Sequence, residues 1–206
     1  MIIHEKFIWL HFPKCAGTKI EHLFAKYLSN LPSVVQDVID PADHSASWHD
    51  SIADREARDT NFHLGDRVVI CSIRQLPSWL ESRYSFEKKR NPHLPHQPQD
   101  LLEGKFLEGD GYKNHADYYP RKYLPEALLN SGKIRFIRTE FFQKDFTSVF
   151  GDYLDLSTIP ESEYASKENA STRALPPDVK TALYNNEALY SLCPYWKKCE
   201  ALAYKT

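Results

Sequence analysis

The chain has 206 residues, a length suited to one domain with a sizeable core. Its 42% hydrophobic and 26% charged content is that of a globular protein and excludes disorder, while a net charge of −2 and a pI near 6.5 argue against a nucleic-acid-binding surface. No apolar run approaches the roughly 20 residues that a membrane span needs.

Phe7, Ile8, Trp9, Leu10 and Phe12 form a run short enough for a buried parallel strand. Ile20, Leu23, Phe24, Tyr27 and Leu28 then recur at helical spacing and predict a helix that packs on a sheet. The turn between them, Pro13-Lys14-Cys15-Ala16-Gly17-Thr18-Lys19, supplies a cation, a glycine, a hydroxyl and backbone N–H groups at a helix start. Such a start presents unsatisfied donors and a partial positive charge, so it suits an anion, phosphate above all. The turn lacks the G-x-x-x-x-G-K-[ST] spacing of a nucleoside-triphosphatase loop, because it has one glycine and its lysine comes first.

Ser33 to Ile39 reads as a second strand, and Asp43 to Ala57 as a helix with Asp43 as N-cap. Val68, Val69, Ile70, Cys71 and Ile73 predict a further strand, with a helix over about 77–90 opened by Pro77. Arg74 stands at the strand's C-terminal end, where ligands collect in open α/β sheets, and Ser82 follows eight residues later in the helix. A guanidinium fork and a hydroxyl suit a terminal phosphate. Residues 91–125 form an irregular, possible substrate-facing excursion, with proline at 92, 95 and 98 and glycine at 104, 109 and 111. A strand over 133–140, a helix over 141–155, and terminal helices over 176–204 broken near Pro194 complete the chain. This alternation predicts one α/β domain over 1–206, with a central parallel sheet, right-handed crossovers and flanking helices.

The hexamer PKCAGT resembles the 5′-phosphosulfate loop of sulfotransferases that use 3′-phosphoadenosine 5′-phosphosulfate, commonly P-K-x-x-G-T. Arg74 and Ser82 resemble the 3′-phosphate motif of that family, R-x-P-x-x-R-x-x-S, although Gln75 and Leu80 depart from it. More loosely, Ile134 to Glu140 followed by FFQKDF is similar to the family's E-x-L-x-x-D-F continuation, and NASTRALPP (169–177) to a segment that closes over the nucleotide. The resemblance is to bacterial and carbohydrate-type members, and it implies a P-loop-like fold and sulfuryl transfer from that donor to a hydroxyl of a glycan, glycolipid or small metabolite. It also implies binding without a metal by Lys14, Cys15, Ala16, Gly17, Thr18, Lys19, Arg74 and Ser82, with adenosine 3′,5′-diphosphate as product. Golgi-resident relatives carry an N-terminal anchor; the loop begins by Pro13, so no signal peptide is expected and the expected location is cytoplasmic.

Sulfuryl transfer needs in-line positioning and stabilisation of charge on the leaving oxygen, a role for Lys14. The acceptor's proton needs a base, and histidine titrates near working pH. His44, His49 and His63 are the candidates. His44 ranks first because HSA resembles a family segment before the 3′-phosphate strand; His49 ranks second, and His63, at the wrong end of its strand, third. A carboxylate base is the other option. Lys88-Lys89-Arg90 reads as a solvated helix end, and Tyr118 to Tyr123 mixes aromatic surfaces with cations that suit a sugar. His93, His96 and His115 lack the spacing of metal ligands, and none of the four cysteines belongs to a paired C-x-x-C set. The alternatives are a P-loop kinase, against which the missing G-K-[ST] counts, and a non-catalytic nucleotide-binding protein.

Overall fold

A computed structural model describes residues 1–37, 47–93, 95, 97–108, 113–165 and 175–205. In chain order the elements are β1 (Ile2–Ile3), β2 (Phe7–Leu10), α1 (Gly17–Leu23), β3 (Val35–Gln36), α2 (Ile52–Arg58), β4 (Val68–Ile73), α3 (Leu76–Arg90), β5 (Lys105–Leu107), β6 (Lys113–His115) and α4 (Tyr118–Tyr123). There follow α5 (Glu126–Leu129), β7 (Ile134–Arg138), α6 (Phe142–Gly151), α7 (Glu161–Ala165), α8 (Pro177–Tyr184), α9 (Leu189–Leu192) and α10 (Pro194–Ala203). They fall into two compact units, Met1–Ile73 with Tyr123–Glu168, and Arg74–Lys122 with Asn169–Thr206.

The first unit is built on a five-stranded sheet of order β3-β1-β2-β4-β7. Strands β2, β4 and β7 are parallel, in the register Trp9 to Ile70 and Ile70 to Arg135. The sheet as a whole is mixed, however, because β1 runs antiparallel to both β2 and β3. The all-parallel expectation is corrected here. Only His4, Glu5 and Lys6 separate β1 from β2, and so short a link can join antiparallel partners but cannot cross over a sheet.

Strands β2 and β4 are apolar along almost their whole length because both faces are covered. Phe7, Trp9, Phe24, Ile70, Phe146 and Phe150 form the centre of this core, with Phe146 and Phe150 delivered by α6 and Phe24 by the turn that continues α1. Helix α1 runs on without a break into a π-helical turn, Phe24–Leu28. Of the predicted second strand over 33–39, Val35–Gln36 form β3, and residues 38–39 lie outside the described residues. The predicted helix over 43–57 begins only at Ile52, where Ser51 and Asp54 form a reciprocal capping box. Asp43, the expected cap, lies outside the described residues. A single 3₁₀ turn, Ser47–His49, precedes this helix, so His49 is not on it.

The second unit packs α3 with the β5–β6 hairpin and the terminal helices around Trp79, Phe106, Tyr119 and Trp196. Trp79 and Trp196 approach to 4.7 Å between ring centres. Asp117 holds the start of α10 by accepting hydrogen bonds from the amides of Tyr195 at 3.0 Å and Trp196 at 2.8 Å. Part of the expected irregular excursion is therefore ordered, as a 3₁₀ segment, Pro98–Glu103, and the hairpin. Among the described residues no helix is long and apolar enough to cross a membrane.

Candidate functional site

Strand β2 ends at Leu10, on the carboxyl edge of the parallel strands, and the chain passes through His11–Ala16 into α1. Two residues of this loop that are not glycine adopt left-handed backbone angles, Lys14 with φ 64° and Ala16 with φ 63°. Side chains disfavour that region by about 1–2 kcal/mol each, and such strain clusters where a site demands a particular backbone. Its result is a tight corner in which the amides are unequally used. The Cys15 amide donates to the Phe12 carbonyl at 3.4 Å, and the Lys19 amide to the Ala16 carbonyl at 3.1 Å. Those of Ala16, Gly17 and Thr18 have no acceptor among the described residues. Three consecutive amides at a corner and a helix start form the kind of concavity that binds anions.

The side chains predicted for this loop divide accordingly. Lys14 is half-buried and close enough to His11 for its charge to act on that imidazole. Thr18 is exposed, whereas Cys15 is fully buried. The Lys19 ammonium turns away from the loop, donating to the Tyr164 carbonyl at 2.7 Å and lying 5.2 Å from the Phe142 ring centre. Gly17 is required by contact as well as by the helix start: a Cβ there would sit 2.0 Å from Nε2 of His11.

That histidine belongs to a buried cluster that the sequence reading missed. His11 Nδ1 and Glu21 Oε1 are 2.7 Å apart, and both residues are almost wholly buried. Oε2 of Glu21 has no hydrogen-bond partner among the described residues. Burial, the nearby Met1 amine and the Lys14 charge together push the His11 imidazole down to about 3. Burial raises the Glu21 carboxyl to about 7, against the opposing pull of the Met1 amine. Near neutrality the pair is thus short of a full negative charge, with one titratable proton along its hydrogen bond. One signal was available beforehand: Glu21 lies three and seven residues before Phe24 and Leu28, a carboxyl on the helix's apolar side.

Of the three histidines considered as base, His49 stands beside this cluster. Its Nδ1 lies 3.1 Å from the His11 carbonyl, and its ring centre is 4.3 Å from that of His11. A carbonyl can only accept, so Nδ1 carries the hydrogen and Nε2 keeps its lone pair. Burial, followed by the influence of His11, lowers the His49 imidazole to about 3, which holds it neutral. The Tyr123 hydroxyl donates to the His49 carbonyl and anchors the turn. His63 is exposed before β4, at the amino end of that strand. His44 lies outside the described residues, as does most of the 169–177 segment.

Arg74 and Ser82 belong to the second unit. Both are half-buried, Arg74 immediately after β4 and Ser82 within α3. The turn between them is held by α10, since the Leu76 amide donates to Glu200 at 2.6 Å and the Trp196 indole to the Arg74 carbonyl at 3.2 Å. Leu80, where the resembling motif has arginine, is completely buried in this unit's core.

A second cluster in this unit brings together His115, Asp117 and Cys193, whose ligand atoms lie within 4.8 Å of one another. Its hydrogen bonds account for all three. His115 Nδ1 accepts from the Asp117 amide at 3.3 Å, which leaves Nε2 as the donor toward the Cys193 sulfur at 3.7 Å. Both Asp117 oxygens cap α10, and burial pushes the Cys193 thiol up to about 12. A metal would need the imidazole proton on the other nitrogen and a thiolate in place of this thiol.

Comparison of the chain with protein-family models, with curated proteins and with solved structures gives no match.

Proposed function

We propose that this protein is a sulfotransferase, moving a sulfuryl group from 3′-phosphoadenosine 5′-phosphosulfate to a hydroxyl acceptor of glycan, glycolipid or small-metabolite type. The observation that carries the reading is the Lys14–Thr18 loop: a strained corner at the carboxyl edge of parallel strands, three consecutive amides without acceptors among the described residues, and a lysine within it. That set suits a phosphate next to a group that leaves as an anion.

In this reading the amides of Ala16, Gly17 and Thr18 and the Thr18 hydroxyl bind the 5′-phosphate. Arg74 and Ser82 take the 3′-phosphate, as the resemblance implies. The acceptor oxygen attacks sulfur while the bond from sulfur to the bridging oxygen breaks, and adenosine 3′,5′-diphosphate departs. Lys14 stabilises the negative charge that develops on that bridging oxygen. The acceptor's proton passes to a histidine. His49 has the support of geometry, its Nδ1 held by the His11 carbonyl, although burial lowers its imidazole to about 3, far below working pH; His44 has that of the sequence pattern. No metal enters any step.

Calorimetry tests the donor assignment. Adenosine 3′,5′-diphosphate should bind at least 30-fold more tightly than AMP, since losing a charge-paired phosphate costs about 2–5 kcal/mol. Binding should persist in EDTA. Equal affinity for the two nucleotides would remove the 3′-phosphate from the site and the donor with it.

A further inference from the structure

The Glu21 carboxyl is the unexplained group beside the loop. It is 4% exposed, one of its oxygens has no partner among the described residues, and the other is bonded to an imidazole whose far nitrogen lies against Gly17. A carboxylate in such a place repels whatever anion the loop holds, because little water intervenes to screen it. Loop and pair therefore cannot be electrostatically independent.

We propose that the His11–Glu21 pair is a proton-coupled counterpart of the anion loop: an anion seated on the Ala16–Thr18 amides draws one proton from solvent onto the pair and is then held beside a neutral couple. The proposal rests on the reading of the loop as a phosphate site and adds its regulation by pH. The proton comes from solvent and returns there when the anion leaves, so no other co-reactant is needed.

The surroundings favour this role for the pair over any neighbour. The Met1 amine approaches from β1, paired with Asp37 at 3.1 Å and donating to the Trp48 carbonyl at 3.0 Å. Asp37 follows β3 and is bound by Arg55 from α2. His49 faces the pair from the 3₁₀ turn and Lys14 from the loop. Arg55 offsets Asp37, burial lowers the Met1 amine below its ordinary value, and His49 is neutral. Glu21 is the group whose raised midpoint, about 7, lies where an approaching anion changes its occupancy most.

The shared ligand chemistry is a phosphate anion, free or carried by a nucleotide, so two probes are used: inorganic pyrophosphate and adenosine 3′,5′-diphosphate. Each is titrated into the wild-type protein and into Glu21→Gln at pH 6, 7 and 8. Glutamine can still accept from His11 Nδ1 but never carries the charge, and the ratio of the two affinities cancels the titration of the ligand's own phosphates. The ratio should be near one at pH 6 and rise to about tenfold in favour of Glu21→Gln at pH 8. Calorimetry of the wild type in two buffers of different ionisation enthalpy should independently show proton uptake at pH 7 to 8, a result that stands even if the variant does not fold. A constant ratio, weaker binding by Glu21→Gln at every pH, or no proton uptake would overturn the proposal. If pyrophosphate gives the pH-dependent ratio and the nucleotide does not bind, the proton coupling holds and the donor assignment fails. If neither probe binds the wild type, the anion loop and the coupling fall together.

Discussion

Gly17 shows how much a single hydrogen atom can matter in this site. Replacing it with alanine places a methyl 2.0 Å from His11 Nε2, so the ring must move and take its bond to Glu21 with it. Gly17→Ala should destabilise the protein by about 1–3 kcal/mol, as overpacked sites do, and weaken adenosine 3′,5′-diphosphate as well. Chemical denaturation and calorimetry on the same preparation check both. Lys14 and His49 are separated from this by the step they affect. Lys14→Ala should lower turnover far more than donor affinity, because its charge counts most when the bridging oxygen becomes negative. His49→Ala should leave donor affinity nearly intact and cut turnover by roughly 100- to 10,000-fold. Steady-state kinetics at saturating donor decide between these outcomes, and a large loss confined to His44→Ala would move the base there.

Single elements are held by a few long-range polar contacts whose loss is predictable. The carboxyl of Asp145 in α6 accepts from the amide, Nε and Nη2 of Arg138 at the end of β7, at 2.9, 2.7 and 2.9 Å. This explains the aspartate in the FFQKDF segment: it ties the strand's last residue to the following helix. The two side chains are 8% and 12% exposed, so Asp145→Ala removes the carboxylate that neutralises a guanidinium in a nearly dry place and should cost about 3 kcal/mol. Burial alone would raise the Asp145 carboxyl, but the hydrogen bonds and charge of Arg138 outweigh it and leave it below the usual range. Its contribution is therefore present above that range and lost as pH falls through the lowered value. Denaturation midpoints of the wild type and variant should converge in strong acid.

For the protein as a whole, the buried imidazoles set the response to acid. His11 and His49 titrate near 3 in the folded state, against an ordinary 6.5. Between those values the unfolded chain binds more protons, so stability is complete above about 6.5 and is lost as pH falls. Glu21 acts in the opposite sense. Its folded value of about 7 exceeds the ordinary 4.5, so the folded state holds the extra proton and stability declines as pH rises between them. Two histidines outweigh one carboxyl, and the thermal midpoint should climb from pH 4 to about 6.5. His49→Gln should make that climb shallower; a midpoint that does not change with pH would show that the imidazoles are not held neutral.

What the amino-acid sequence determined by itself is what short-range pattern encodes. The apolar runs over Phe7–Leu10 and Val68–Ile73 and the helical spacing of Ile20, Leu23 and Phe24 specify strand, strand and helix, since each period is complete within a few residues. The turn between them was legible too, from its proline and glycine between strand and helix, but not its left-handed angles at Lys14 and Ala16, which neither residue type favours. The tertiary structure alone decided the rest. Two residues, Ile2–Ile3, are too few to show a period, so only pairing with β2 and β3 revealed the antiparallel side of the sheet. His49 gained its orientation from a carbonyl 38 residues away, and Asp117 its capping role from a helix 78 residues away. Nothing in local spacing records such partners, because packing brings them together only after the strands and helices have formed. The His11–Glu21 pair lies between these cases: its members are ten residues apart, but it takes the reversal from strand to helix to set one against the other and the closed core to remove the water between them.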